Sequence, residues 1–223
     1  SVHLQDYLGP PRSEDEPILQ RHKDIACSIQ TRVNEVGVEV ARALRKEFKF
    51  NKLCLTGGVA QNIIMNQQIY QKADFDEVFV QPASHDAGLS IGSALLASVN
   101  SGDMKARFVM KSTAWGPSFS SIEVEAELKN YNLSYVKPED ICLTTSRMLA
   151  DGKVVGWFSG KTEFGPRALG YRSILADARL PEMKDIVNSK IKFRESFRPF
   201  APSVLAESFY DYFDLAPINP FMT

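Results

Sequence analysis

From Lys52 to Val99 the chain alternates strand-like and helix-like patterns, and each strand ends on an unusual turn. Lys52-Leu-Cys-Leu-Thr56 predicts a short strand, followed at once by Gly57-Gly58. A helix is expected from about Ala60 to Lys72, then a strand over Glu77-Val-Phe-Val80. The polar turn Gln81-Pro-Ala-Ser-His-Asp-Ala-Gly88 follows, and a further helix from about Leu89 to Val99. Strand, glycine turn, helix, strand, polar turn, helix is α/β wiring, in which ligands sit at the carboxyl ends of the strands. If the two strands are parallel, Gly57-Gly58 and His85-Asp86 open toward the same side. Ahead of this unit Ile18, Ile25, Ile29, Val33, Val36, Val40 and Leu44 recur mostly every three or four residues. They predict one long amphipathic helix that ends near Phe48.

The glycine pair lets backbone approach a ligand, and the helix behind it offers free N–H groups. Gly57 and Gly58 read equally as a tight turn and as a phosphate or nucleotide contact. Asn62, expected one turn into the helix, is placed to aim its amide at the same ligand. Asp86 has two readings, a cap for the following helix or a metal ligand at a strand end. His22, in the first turns of the long helix, reads as a surface or capping residue.

Residues 1–17 are expected to be irregular, since Gly9-Pro10-Pro11 and the acidic Glu14-Asp15-Glu16-Pro17 break helices. Turns at Asn100-Ser-Gly-Asp103 and Thr113-Ala-Trp-Gly-Pro-Ser118 mark a boundary, placed at 104/105. Charge shifts there. Residues 1–104 carry ten Lys/Arg against 13 Asp/Glu, and residues 105–223 carry 16 against 14. The second part predicts a helix over Ser121–Lys129, a strand over Leu133–Val136, a helix over Ile141–Ala150 and a strand over Val154–Phe158. A helix over Glu182–Ile191 and a strand starting at Ser203–Leu205 follow. Gly156-Trp-Phe-Ser-Gly160-Lys161-Thr162 imitates a P-loop. That motif needs four residues between its glycines and a helix at its lysine; here three residues intervene and Glu163-Phe-Gly-Pro166 follows.

The segment Lys161–Arg198 is cationic: nine Lys/Arg against five Asp/Glu, in a chain of net charge −1. Its arginines stand among glycine, proline and aromatic residues rather than on an even helical face. Arg167 follows Gly-Pro, Arg172 follows Gly-Tyr, and Arg198 lies between Phe197 and Pro199. Loops of that kind hold guanidinium forks in fixed directions, which suits phosphate and carboxylate oxygens.

No run of 18 apolar residues is present, and no basic-then-apolar leader opens the chain. Cys27, Cys54 and Cys142 are widely spaced and odd in number, so they predict neither a metal pair nor a disulfide framework. The near-neutral charge argues against bulk nucleic-acid binding. The expected setting is the cytoplasm, without a membrane partner. With no initiator Met and an end at Pro217-Ile-Asn-Pro-Phe-Met-Thr223 that closes no element, the chain reads as a piece of a longer protein.

Four segments together resemble one family. They are Leu55-Thr-Gly-Gly-Val-Ala-Gln-Asn62, Phe79-Val-Gln-Pro-Ala-Ser-His-Asp-Ala-Gly88, Glu163-Phe-Gly-Pro-Arg-Ala-Leu-Gly-Tyr-Arg-Ser-Ile-Leu-Ala-Asp177 and Lys192-Phe-Arg-Glu-Ser-Phe-Arg-Pro-Phe-Ala-Pro-Ser203. They are similar to the O-carbamoyltransferases of the NodU/CmcH family, as are Leu8-Gly-Pro-Pro-Arg12 and Trp115-Gly-Pro-Ser118. The Glu163–Asp177 and Lys192–Ser203 motifs are long and specific. The Gly-Gly-Val-Ala motif is shared with the wider actin-like ATPases.

The resemblance implies an α/β chain in which residues 1–104 are half of an actin-like carbamoyl-transfer domain. Residues 105–223 would then be an incomplete YrdC-like domain. It implies that ATP and carbamoyl phosphate form carbamoyl adenylate in the second domain, and that the carbamoyl group passes to a hydroxyl of a small molecule or sugar in the first. Arg167, Lys192 and Arg198 match the family's catalytic cations, and Arg172 and Arg194 match substrate contacts. Gly57, Gly58 and Asn62 match the nucleotide turn. Asp86 matches a ligand of a divalent metal, iron in the best match. The other ligands are histidines that His3 and His22 do not replace, and the role of His85 stays open. The rival reading is an RNA-binding or tRNA-modifying module of YrdC type; a sugar-kinase-like phosphotransferase is a third. Oligomeric state and acceptor are not predicted.

Overall fold

The computed structural model describes residues 2–106, 108–214 and 218–223; Ser1 and Pro217 of the terminal readings lie outside them, as does the side chain of His3. The chain divides into two compact units, residues 1–85 and 86–222, and mixed α/β structure is found in both.

The first unit begins with helix α1 (Val2–Leu8), where irregular chain was expected. The breakers start only at Gly9, so the residues before it are free to close a helical turn. Helix α2 (Gln20–Phe48) is the long amphipathic helix. Its entry is capped by His22, whose Nδ1 accepts from the Leu19 N–H at 3.0 Å, in line with the capping reading. Strands β1 (Lys52–Leu55) and β2 (Glu77–Val80) pair in parallel, Lys52 opposite Glu77 and Leu55 opposite Val80. Helix α3 (Ile63–Lys72) joins them.

The expected helix start at Ala60 is corrected. Gly58–Gln61 tightens into a 3₁₀ turn, and Asn62 caps α3 by accepting from the Met65 N–H at 3.1 Å. The core gathers Val38 and Ala41 of α2, Met65 and Ile69 of α3, and Ala73 and Phe75 beyond it, with Leu53, Leu55 and Val78 packed against them. The helices cross at Gly37, where a Cβ would meet the Met65 side chain at 2.8 Å. Arg42 and Arg45 of α2 donate to the carbonyls of Lys72 and Asp74 at 2.8 and 3.1 Å, satisfying acceptors at the end of α3 that have no partner within the helix.

The second unit holds helices α4 (Gly88–Asn100), α5 (Ser121–Asn130) and α6 (Ile141–Ala150). Strands β3 (Val155–Phe158) and β4 (Arg172–Leu175) pair antiparallel, Phe158 opposite Arg172. Short helices α7 (Met183–Ile186) and α8 (Phe209–Tyr212) complete it. Sequence reading missed β4, because its pairing with β3 is decided across the connecting loop, from Val155–Leu175 to Phe158–Arg172, rather than by local pattern.

Two expected strands do not form. Over 133–136 the chain folds back on α5: Tyr135 donates to Glu125 at 2.6 Å and Lys137 pairs with the same carboxylate. After Ser203 a 3₁₀ turn (Ala206–Ser208) leads into α8. The expected helix over Glu182–Ile191 is α7 followed by a π-helical turn, Val187–Lys192. Among the described residues no helix is long and apolar enough to cross a membrane.

Candidate functional site

The parallel pairing of β1 with β2 puts the two turns at their carboxyl ends side by side. The Gly57 N–H donates to the Ser84 carbonyl at 2.7 Å, and the Thr56 hydroxyl reaches the same oxygen at 3.4 Å. Gly57 has φ +94°, a conformation that only glycine adopts without strain. A Cβ at Gly57 or Gly58 would touch nothing within 4 Å, so the backbone here lies open for close approach. Asn62 is not aimed outward from a helical turn. Its side chain caps α3 and exchanges hydrogen bonds with Gln30 at 3.0 and 3.2 Å. Behind it Asn66, 4% exposed, donates to the Ala60 carbonyl, and its Oδ1 has no partner.

Asp86 lies in the turn ahead of α4 and does not cap it through its side chain; its carbonyl accepts from the Leu89 N–H at 3.0 Å. Among the described residues no three His, Cys, Asp or Glu side chains gather. The described residues therefore do not by themselves fit a transition-metal site.

Two cationic loops stand in the second unit, each with its own polar hub. The first is the connection from β3 to β4. Ser159 N donates to Tyr171 O at 2.9 Å, closing its neck. The Trp115-Gly-Pro segment anchors its near side: Gly116 N donates to Thr162 O at 2.9 Å, Thr162 N to Pro117 O at 3.1 Å, and Phe164 N to Thr113 O at 2.7 Å. Trp115 stacks on Phe164 with ring centroids 6.2 Å apart. Glu163, between these anchors, turns its carboxylate across the loop. Its Oε1 accepts from the N–H groups of Leu169 (2.9 Å), Tyr171 (2.8 Å) and Arg172 (3.0 Å). Burial pushes this carboxyl up, but the backbone donors of Leu169, Arg172, Glu163 itself and Tyr171 together outweigh burial and hold it below its ordinary value.

Arg167 sits within the bow of that loop, between Gly165 (φ +113°) and Gly170 (φ +97°). Arg172 closes the neck a second time. Its guanidinium lies 3.5 Å from the Phe158 ring centroid and donates to the carbonyls of Ser159, Tyr171 and Gly160 at 2.8, 2.9 and 3.2 Å. Much of its donor capacity is thus spent on the loop itself.

The second loop follows the π-helical turn. Asn188, only 1% exposed, is its hub. Its Oδ1 accepts from Arg194 Nε at 2.7 Å, and its Nδ2 donates to the carbonyls of Arg198 (2.9 Å) and Ser196 (3.4 Å). Arg194 also lies 4.7 Å from the Phe200 ring centroid. Arg198 pairs with Glu195 at 2.8 Å on the surface, and Lys192, in the last turn before the loop, is exposed. Phe193 reverses the chain with φ +48°. Nearby, Arg179 holds the Asp177 carboxyl down to about 2 through side-chain and backbone hydrogen bonds.

Arg167 and Arg172 therefore share one closed loop, while Lys192, Arg194 and Arg198 share another. Gly57, Gly58 and Asn62 share the turn after β1. Glu163 and Asn188 were absent from the expected site. The available signal was indirect: a loop rich in backbone N–H groups needs an acceptor, and an acid stood at its start.

Residues 2–95 match the family model described as carbamoyltransferase N-terminus, and residues 146–223 match the one described as carbamoyltransferase C-terminus. The chain is 40% identical to the nodulation protein NolO of Bradyrhizobium diazoefficiens over 96% of its own length and 41% of that protein's. It is 40% identical to the nodulation protein NolNO of Sinorhizobium fredii over 94% of its own length and 32% of the relative's. To nodulation protein U of Rhizobium fredii it is 40% identical, over 76% and 28% of the two lengths. The chain thus spans well under half of these relatives.

Proposed function

The chain belongs to the carbamoyltransferase family, and we propose that it is part of an ATP-dependent O-carbamoyltransferase that works through carbamoyl adenylate. In this reading residues 105–223 form a YrdC-like site. There water cleaves carbamoyl phosphate to carbamate and phosphate, and the carbamate oxygen attacks the α-phosphorus of ATP, giving the adenylate and releasing pyrophosphate. Residues 1–104 belong to an actin-like domain, in which an acceptor hydroxyl attacks the carbamoyl carbon and AMP leaves. Arg167, Lys192 and Arg198 hold the phosphates, and Arg172 and Arg194 stand behind them as anchored cations. Gly57, Gly58 and the Asn62 turn face a nucleotide. Asp86 is one donor toward a divalent metal, iron in the resembling enzymes, whose other ligands are not among the described residues of this chain.

One observation carries the proposal: within the stretch matched to the carbamoyltransferase C-terminus, arginines are held in two separately organised loops. Phosphoryl and adenylyl transfer place several negative charges close together. Cations fixed before the substrate arrives stabilise that charge without reorganisation.

The test is carbamoyl-phosphate-dependent ATP–pyrophosphate exchange in the full-length protein. Arg167→Ala should lower the exchange on the order of a hundredfold or more. Asp86→Asn should leave exchange intact while stopping transfer to the acceptor. Equal loss of exchange in both variants would refute the division into two sites.

A further inference from the structure

We propose that Glu163 is the positioning residue of the phosphate site: its carboxylate folds the Gly165–Arg172 loop so that Arg167 is presented in one direction. This rests on the reading of Arg167 as a phosphate-binding cation. A negative charge beside an anion site is at first sight misplaced, since Coulomb repulsion alone weakens anion binding there. The hydrogen bonds explain its presence. One oxygen, Oε1, gathers the N–H groups of Leu169, Tyr171 and Arg172. Leu169 and Tyr171 lie ahead of the β3–β4 ladder, which begins at the Phe158–Arg172 pair, so the carboxylate serves N–H groups that the ladder has not yet reached.

The Glu163 backbone is itself tied to Ala114 by an isolated antiparallel bridge. The carboxylate therefore joins a fixed point on one side of the loop to the start of β4 on the other. Between these ends the chain passes two glycines with positive φ, Gly165 and Gly170, and such residues lose the most freedom on ordering. Without the carboxylate, the loop's three N–H groups would turn to water and the backbone that carries Arg167 would loosen. With it, that ordering is complete before substrate arrives, and preorganisation of this kind raises affinity by lowering the cost of binding.

The charge makes the inference testable by sign. Carbamoyl phosphate affinity of the full-length protein is measured by titration calorimetry for the parent, Glu163→Ala, Glu163→Gln and Arg167→Ala. Amide hydrogen exchange is followed at Leu169, Tyr171 and Arg172. Glu163→Ala should weaken carbamoyl phosphate about tenfold, the scale of one charge-assisted contact, although an anion has been removed from beside the site. Exchange at the three amides should rise with it. Glu163→Gln keeps an acceptor oxygen but not the charge, so it should recover only part of the affinity and protection.

If Glu163→Ala binds carbamoyl phosphate as tightly as the parent or more tightly, while Arg167→Ala is weakened, the positioning role is refuted and the phosphate reading survives. If Arg167→Ala itself binds normally, the phosphate reading fails and the positioning role falls with it. Should the alanine variant not fold, Glu163→Asp decides. Its shorter side chain cannot span the loop, so unchanged affinity there overturns the inference.

Discussion

Glu163 gathers three backbone N–H groups onto one carboxylate oxygen, whereas Asn188 accepts from a guanidinium and donates to two backbone carbonyls. The first loop turns N–H groups inward and so needs an acceptor-only hub. The second presents a cation and carbonyls together, and only a side chain that both donates and accepts can serve both. An ionised carboxylate at 188 could hold Arg194 but could not donate to Arg198 or Ser196. Burial follows the same division. The charged hub stays partly exposed, while the neutral amide is 1% exposed, because burying a charge costs far more than burying a satisfied amide.

Breaking the neutral hub should have the larger effect on stability. Asn188→Leu leaves Arg194 Nε and the carbonyls of Ser196 and Arg198 without their partner in a partly buried setting, which costs about 3 kcal/mol. Urea unfolding is a direct measure, because both tryptophans, Trp115 and Trp157, lie in the second unit and report on it by fluorescence. A change below about 0.5 kcal/mol, the range of ordinary surface substitutions, would show that the second loop does not depend on its amide.

A smaller effect is expected in the first loop at Gly170. A Cβ there meets nothing within 4 Å, so the whole cost is its φ of +97°. Gly170→Ala should cost about 1–2 kcal/mol in the same unfolding measurement, and under the proposed role of Arg167 it should also weaken carbamoyl phosphate binding in the full-length protein. If stability falls but binding does not, the bow of the loop and the direction of Arg167 are independent.

These hubs also show where sequence reading stops. The spacing from Ile18 to Leu44 located α2 almost to its ends, and Lys52–Thr56 and Glu77–Val80 located the parallel strands with their turns. Those signals are local: periodicity, strand-like runs and breakers. Leu133–Val136 carried the same kind of signal and was misread, because Tyr135 and Lys137 are claimed by Glu125 of α5. The arginines proposed for the site stand out in the sequence by their Gly-Pro and Phe-Pro neighbours. Glu163 and Asn188 do not, since their partners lie six to ten residues downstream at no regular period. The match to the carbamoyltransferase family did not single out either hub.

Acid should separate the two loops by the least drastic means. The Glu163 carboxyl is raised by burial and lowered further by its backbone donors, so its folded pKa lies below its unfolded one. The sign follows from that order. Above the unfolded value both states are ionised and the contribution of Glu163 to folding is fully present. It is lost as pH falls through the depressed folded value, because protonation then removes the charge that the three N–H groups favour. Asn188 does not titrate, so its bonds to Arg194 and Arg198 carry no such dependence. Asp177, held to about 2 by Arg179, keeps its own pair across most of that window. Amide hydrogen exchange followed from about pH 6 down to about pH 3, the ordinary range for a carboxyl and somewhat below it, should show Leu169, Tyr171 and Arg172 losing protection before Arg194, once intrinsic exchange rates are divided out. In Glu163→Gln that early loss should disappear. Simultaneous loss at both loops would mean that they open as one unit and that the contrast between a charged and a neutral hub has no consequence for how they move.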